Sequence, residues 1–301
     1  MHKLYVVLSV ALYLLVSNSV CAQDSWRISA NNIQAPNYYG VTSANGMLGI
    51  VSSAEPMKVK QVVLSGLYDM YGRGRVSNFL PGFNLLNVKL IINGRAVSSQ
   101  NVTNLHQELC LKNGVFTNTF DVENLAKVKY SYKALRHLPF SVMGTVEIEP
   151  LTDISITVIN IMETPDALRD SKFSFNEINR RHVGIQMLTS QALSPTGKIL
   201  LAATTSFAFS EKRGDEPKVS HEMPDSHLHQ QKFSKQLKLA EKYSFSIIGT
   251  TISSAHTTDA YNESERLTVF ARLEGIDRLN ELHDKAWENL WKSDIVIDGD
   301  L

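Results

Sequence analysis

One short segment combines aromatic and basic side chains in a pattern that suits sugar binding. Tyr68, Tyr71, Arg73 and Arg75 fall within a single stretch that also contains glycines. Tyrosine rings stack on sugar faces, and guanidinium groups donate hydrogen bonds to hydroxyl groups or to a neighbouring domain. We therefore identify these four residues as candidate substrate-binding residues. An ordinary surface loop with solvated arginines is the alternative interpretation.

A histidine-rich stretch is the second candidate for chemistry. His221, His227 and His229 lie close to Glu222 and Asp225, and imidazole and carboxylate groups are zinc ligands. The stretch is polar and has no cysteine, so a solvated loop is the favoured interpretation. We predict no metal site and no cofactor.

The first 22 residues have the three-part pattern of a secretory signal peptide. A short basic start precedes the apolar run 4–16, and a stretch of small and polar residues ends at Ala22. The apolar run is too short to span a bilayer comfortably, so we expect no membrane span after cleavage. The predicted location is periplasmic or secreted.

Cleavage leaves Cys110 as the one cysteine, in an apolar context that predicts a buried, inert thiol.

Composition excludes two broad classes. The chain has 301 residues, 30 basic and 30 acidic side chains, and 43% hydrophobic residues. A disordered chain would have low hydrophobicity and high net charge. A nucleic-acid partner is not expected, because phosphate neutralisation needs a surplus of Lys and Arg.

The elements that must position these residues are predicted to be strands. Short apolar-alternating runs extend from about Tyr38 to Ser254, and Asn-Gly pairs at 93–94 and 113–114 predict tight hairpins. On the order of a dozen strands or more is too many for one flat sheet, so we expect two large antiparallel sheets packed face to face. Two polar stretches, 163–182 and 211–231, are predicted to be surface loops between strands.

An amphipathic helix is predicted near the end of the chain, from Ile276 to Trp291. Trp287, Leu290 and Trp291 are assigned to packing between domains, because large aromatic side chains need a large partner surface. The chain stops where such a partner would begin, so we expect a truncated protein. An exposed apolar patch around the two tryptophans would favour association into a homodimer.

Three stretches, in this order, resemble the N-terminal region of glycoside hydrolase family 65. This family contains maltose, trehalose and kojibiose phosphorylases and related α-glucosidases. The third stretch is the most specific, because two tryptophans four residues apart, followed by Ser-Asp-Ile, form a rare sequence motif. Met47 and Ser52-Ser53 depart from the family pattern and leave the substrate open. The matching stretches are Ser43–Ile50, Leu85–Gly94 with Leu109–Phe120, and His283–Ile295 followed by Gly299-Asp300.

The resemblance implies an architecture. Residues 23–258 would form a β super-sandwich of the galactose mutarotase-like class, and residues 259–301 a helical linker into an (α/α) six-hairpin barrel. The barrel would carry the catalytic carboxylates, so no catalytic residue is assigned to this chain. Loops of the sandwich can lie near the mouth of the barrel's active site, where the candidate substrate-binding residues would contact sugar.

The resemblance also implies a function, with alternatives. The expected activity is inverting hydrolysis of small α-glucosides or oligosaccharides, favoured over phosphorolysis because a charged sugar phosphate made outside the cell would be stranded. One alternative is a stand-alone carbohydrate-binding or scaffolding sandwich without catalysis. Another is a mutarotase-like enzyme, which would need a histidine and glutamate pair such as His137 and Glu147 on strands of a concave sheet.

Overall fold

The computed structural model describes residues 26–73, 76–212 and 214–293. Three features predicted from the sequence lie outside these residues. They are the signal peptide at 1–22, Arg75 of the candidate substrate-binding residues, and nearly all of the strand-like stretch 293–301.

The described residues form a mainly β structure, as predicted, and end in two helices where one was predicted. The strands are β1 Arg27–Ala30, β2 Thr42–Ala44, β3 Leu48–Ser52, β4 Val59–Met70, β5 Ser77–Gly82, β6 Asn87–Ile92, β7 Arg95–Ala96, β8 Val102–Cys110, β9 Val115–Val122, β10 Ala126–Ala134, β11 Ser141–Pro150, β12 Ile154–Glu163, β13 Arg169–Arg180, β14 Val183–Leu193, β15 Leu200–Phe209, β16 Ser220–Asp225, β17 Leu228–Leu237 and β18 Tyr243–Ser253. The helices are α1 Ala260–Glu274 and α2 Ile276–Leu290.

The strands form one large sheet and two smaller ones. The nine-stranded sheet has the order β1-β8-β9-β10-β11-β18-β15-β14-β13, the five-stranded sheet β16-β17-β12-β6-β7, and the four-stranded sheet β2-β3-β4-β5. One buried cluster contains apolar residues from all three sheets, among them Ile50, Val128 and Val158. The nine-stranded sheet therefore forms one layer of the sandwich, and the two smaller sheets together form the other layer. The predicted face-to-face packing is confirmed, but one of the two layers consists of two sheets.

Strand β10 shows how the sequence produces this arrangement. Tyr130 and Tyr132 are buried, whereas Lys127 and Lys129 are exposed, because successive side chains point to opposite faces of a strand. The Tyr130 hydroxyl donates a hydrogen bond of 2.6 Å to the backbone oxygen of Leu86, which satisfies a polar group in the core.

The two predicted hairpin turns are present. Asn93 and Gly94 join β6 to β7 with φ of 49° and 82°, as a tight two-residue turn requires. Gly114, at the turn between β8 and β9, has φ of 65°.

The prediction that 163–182 and 211–231 are loops was wrong. Strand β13 occupies most of the first stretch, and β16 with the start of β17 occupies the later part of the second, whereas the described residues of 211–219 do form a loop. β13 and β16 are edge strands of their sheets, and all six residues of β16 are exposed. A strand with two solvated faces has no apolar alternation, so its sequence resembles that of a loop.

Helix α1 was not singled out by the sequence, although it lies in the predicted helical linker. Asp259 caps its N-terminus by accepting a hydrogen bond of 3.2 Å from the backbone N–H of Asn262. Its buried face consists of the small residues Ala260, Ser264, Thr268 and Ala271, and this face packs on the nine-stranded sheet. Because the buried side chains are small and partly polar, the helix lacks a clear apolar stripe.

Among the described residues, neither helix has the length and apolar character needed to cross a bilayer.

The contact of α1 with the sheet leads to the first prediction. Ala271 is fully buried beside Met143, Ala208 and Ile248, so Ala271→Leu should overpack the contact and lower the free energy of unfolding by about 1–3 kcal/mol. Chemical denaturation measures the effect. Leu273→Ala on the exposed side of the same helix should change stability by less than about 0.5 kcal/mol. Equal effects of the two substitutions would contradict the described contact.

Candidate interdomain site

The three stretches that carry the family resemblance meet at one place in the structure. Residues Ser43 and Asn45 come from the first, Lys112 to Gly114 from the second, and helix α2 from the third. The Ser43 hydroxyl donates to the backbone oxygen of Gly114. The connection between β10 and β11, which includes Arg136, lies between the other segments. We call this region the motif junction.

Asn45 forms the first part of the motif junction. Its side-chain oxygen accepts hydrogen bonds from the backbone N–H groups of Met47 (2.9 Å) and Leu48 (2.8 Å). Its side-chain amide donates to the backbone oxygens of Leu135 (2.9 Å) and Pro139 (3.1 Å). The residue is 6% exposed, so these bonds satisfy a buried amide and join the turn before β3 to the β10–β11 connection.

His283 forms the centre of the motif junction and is fully buried. The backbone N–H of Arg136 donates to Nδ1 (3.1 Å), so Nδ1 carries no proton. Nε2 therefore carries the proton and donates to the backbone oxygen of Asn113 at 2.7 Å. Burial, together with the nearby charge of Lys133, lowers the pKa of His283 to about 4. The geometry thus requires the neutral imidazole.

Trp287 lies one helical turn further along α2 and packs on the second hairpin turn. A Cβ atom at Gly114 would lie 2.9 Å from Cζ2 of the Trp287 ring, so only glycine fits at this distance. The guanidinium of Arg136 lies over the same ring, 5.8 Å from its centroid. Such cation–π contacts stabilise a partly exposed interface by about 0.5–1 kcal/mol.

Trp291 joins the end of α2 to the first strand. Its Nε1 donates a hydrogen bond of 2.7 Å to the backbone oxygen of Lys112, and its ring contacts Trp26 edge-on with centroids 4.8 Å apart. Both predicted packing tryptophans therefore contact the sandwich and are half-buried, so the apolar patch expected around them is reduced.

Leu290 is 41% exposed and remains available to a neighbouring domain. Its role between domains, and a homodimer, stay predictions.

The structure separates the candidate substrate-binding residues. Tyr68 is 55% exposed on β4 and pairs across the β4–β5 hairpin with Phe79, which is 54% exposed. Tyr71 follows the strand and lines a different surface, a cleft beside the start of β4. Arg73 is exposed in the hairpin connection. Tyr68 and Tyr71 thus lie on different surfaces, and the substrate-binding role of the candidate residues stays a prediction.

Asp69 anchors this hairpin to the rest of the sandwich. The carboxylate accepts from the backbone N–H of Thr196 (2.9 Å) and from its hydroxyl (2.7 Å). Burial alone would raise the pKa of Asp69, but hydrogen bonds from Ser194, Thr196 and Met70 outweigh burial and hold the pKa well below its usual value. The hairpin is therefore fixed on one side, while the aromatic side chains of Tyr68 and Phe79 lie in solvent.

The histidine-rich stretch is ordered rather than a solvated loop. His221 stacks on Phe175 with centroids 4.2 Å apart, and His229 is 2% exposed beside Phe173. Burial, with the nearby His221, lowers the pKa of His229 to about 4. Within the described residues no group of three or more metal-ligating side chains is arranged to hold an ion. The histidines help pack the edges of β13, β16 and β17.

Two further expectations need correction. His137 lies in the turn after β10, not on a strand, and Glu147 pairs with Lys129 across the sheet at 2.8 Å. His137 and Glu147 are therefore not two strand residues, as the mutarotase-like alternative expects. Cys110, at the end of β8, is half-buried and not fully buried.

The fold and the motif junction define a class of protein: a large antiparallel sandwich whose C-terminal helices pack back on the nine-stranded sheet. The model of the glycosyl hydrolase family 65 N-terminal domain matches residues 41–290. The chain belongs to glycoside hydrolase family 65.

Two curated relatives are kojibiose hydrolases. The protein from Mucilaginibacter mallensis is 52% identical over 282 residues, covering 94% of this chain and 42% of that protein. The protein from Flavobacterium johnsoniae is 47% identical over 300 residues, covering 99% of this chain and 44% of that protein. The chain thus spans less than half the length of these relatives.

A solved structure shares the fold. A protein provisionally called a kojibiose phosphorylase, from human microbiome, superimposes with a TM-score of 0.69 at 13% identity. The alignment covers 89% of this chain and 38% of that one. At this identity the likeness concerns the fold alone.

The contact between Gly114 and Trp287 can be tested with a matched pair of variants. Gly114→Ala and Gly94→Ala both place a Cβ on a residue with positive φ, which costs about 1 kcal/mol. Gly94 has nothing within 4 Å of such a Cβ. Gly114→Ala should therefore lower stability by a further 1–3 kcal/mol or so, because the Trp287 ring must move. Denaturation followed by tryptophan fluorescence measures the difference; equal losses would show that the ring contact is unimportant.

The buried His283 predicts a pH dependence of stability. Its folded pKa of about 4 lies below the ordinary value of 6.5, so the folded chain binds fewer protons than the unfolded chain between these values. The contribution is complete above pH 6.5 and is lost as the pH falls towards 4, an effect on the order of 3 kcal/mol. His283→Gln should flatten this part of the stability curve, whereas His182→Gln, at an exposed position, should not. An unchanged curve for His283→Gln would contradict the assignment.

Proposed function

We propose that this chain is the N-terminal part of an exported enzyme that hydrolyses kojibiose or a closely related small α-glucoside. The observation that carries the proposal is the 52% identity over 282 residues to a kojibiose hydrolase. A second relative with the same name is 47% identical over 300 residues. Identity at this level extends through the motif junction, so the relatives are expected to present the linker helix in the same way.

Two arguments favour hydrolysis over phosphorolysis. Both curated relatives are named hydrolases. The residues 1–22 predict export, and a sugar phosphate formed outside the cytoplasm would not enter metabolism. Inverting hydrolysis uses two carboxyl groups roughly 6.5–9.5 Å apart with a water between them. In this proposal both groups belong to the catalytic barrel, and this chain supplies none of them.

The role of this chain is to hold the linker and to shape the approach to the active site. The motif junction fixes α2 on the sandwich, so the barrel that follows has a defined orientation. The exposed face of the β4–β5 hairpin, with Tyr68 and Phe79, is the surface we assign to the mouth of the active site. Arg73 lies in the connection of the same hairpin and would donate hydrogen bonds to sugar hydroxyls or to the barrel, the role that the sequence also predicts for Arg75.

The proposal is tested by joining this chain to the catalytic portion of the Mucilaginibacter mallensis relative. Release of glucose from kojibiose is measured with and without inorganic phosphate, and the anomer formed first is followed by NMR. We expect phosphate-independent release with inversion of configuration. Strict dependence on phosphate would overturn hydrolysis, and retention would overturn the proposed mechanism.

A variant with Tyr68→Ala serves to test the hairpin surface in the same fusion. If Tyr68 stacks on substrate, KM should rise by about threefold to tenfold with little change in kcat, because an aromatic contact is worth about 0.5–1.5 kcal/mol. Tyr39→Ala is the matched control, since Tyr39 is 87% exposed on another segment. Equal effects of the two variants on KM would remove Tyr68 from the substrate path.

A further inference from the structure

A polar cleft of about 380 Å³ lies where the four-stranded and five-stranded sheets meet. The start of β4, the end of β5, the start of β6 and the loop after β12 form its walls. The two sheets are joined there by backbone and amide contacts, including the Val88 N–H donating to the Met57 oxygen (3.0 Å). The volume falls in the range of sites for small organic ligands.

Asn84 and Asn87 in the cleft wall bond to the Val59 backbone, but four other polar side chains there have no partner among the described residues. Lys60, Gln61, Glu163 and Asp166 make no side-chain hydrogen bond or ion pair to any other residue in the part of the chain that the structure describes. Thr164 is 4% exposed, and its hydroxyl has no partner there either. The Thr164 hydroxyl oxygen is itself inaccessible from the cleft, so the four unpaired side chains are the groups available to a ligand.

A larger groove on the nine-stranded sheet provides the contrast. Its volume is about 620 Å³, but most of its charged side chains, Lys127 being an exception, have partners within the sheet. Lys129 bonds to Glu147 at 2.8 Å, and Asp121 accepts from Asn104 at 2.7 Å. These groups are already satisfied within the sheet, so the groove does not call for a ligand.

Tyr71 supplies an aromatic surface at the edge of the cleft. It is 42% exposed, and its backbone oxygen accepts a hydrogen bond of 2.6 Å from the side-chain amide of Asn78, which holds this part of the hairpin connection in place. An aromatic face beside carboxylate, amide and ammonium groups is suited to a ligand with C–H faces and many hydroxyl groups.

We propose that this cleft is an accessory binding site for a neutral saccharide, in which Tyr71 stacks on one sugar ring while Glu163, Asp166 and Gln61 bond to its hydroxyls. With two carboxylates and one ammonium, the cleft carries net negative charge and repels phosphorylated sugars. The inference goes beyond the proposed function, because the site lies wholly on the sandwich and requires no catalytic barrel.

The test is calorimetric titration of the 301-residue chain with kojibiose, with glucose 6-phosphate as the comparison ligand. We expect saturable binding of kojibiose in the millimolar range and weaker or no binding of glucose 6-phosphate. Tyr71→Ala should weaken binding by about tenfold and Asp166→Ala by about threefold, from the loss of stacking and of one hydrogen bond. Tyr39→Ala should bind as the parent chain does.

A second measurement keeps the proposal testable if a variant folds poorly. In the unaltered chain labelled with ¹⁵N, kojibiose should shift the amide resonances of Gln61, Thr164 and Asp166. Absence of saturable binding, shifts confined to other surfaces, or tighter binding of glucose 6-phosphate or of Ca²⁺ would overturn the proposal. The result is distinct from that of the hydrolysis assay, because the isolated chain binds at this site whether or not the fusion enzyme cleaves kojibiose.

Discussion

A neutral, fully buried imidazole holds the linker helix on the sandwich. His283 accepts from the Arg136 backbone and donates to the Asn113 backbone, so a single side chain of α2 satisfies one donor and one acceptor on two separate connections of the nine-stranded sheet. Neither lysine nor an aliphatic side chain supplies both functions, because lysine has no acceptor and an aliphatic group has neither. The attachment of α2 to the sandwich therefore depends in part on the tautomer of one ring.

The rest of the motif junction is built around the same two connections. Asn45 fixes the β10–β11 connection from the side of the four-stranded sheet, and Trp287 covers the glycine of the β8–β9 turn. Three stretches far apart in the chain thus converge because each contributes one part of a shared set of backbone hydrogen bonds. The stretches on which the family resemblance rests therefore also attach the linker helix to the sandwich.

The sequence predicted those parts of the fold that have a strong local pattern. Alternation in β10, the Asn-Gly turns and the apolar stripe of α2 were sufficient for a β-sandwich followed by a helix. Strand β13 and helix α1 were missed as elements because one has solvated faces and the other packs through small residues. At the motif junction the tryptophans were found, but the partners of Asn45 and His283 are backbone atoms some 90 and 150–170 positions away, which no local pattern encodes.

The contact between Trp26 and Trp291 brings the beginning and the end of the described chain to the same corner of the molecule. Trp26 directly precedes β1, the edge strand that pairs with β8. Trp291 follows helix α2 and donates a hydrogen bond to the β8–β9 turn. A mechanical load applied through the linker would therefore pull on the outermost strand of the large sheet at the same time as on the helix. Unzipping of that edge and detachment of the helix would then occur as one event.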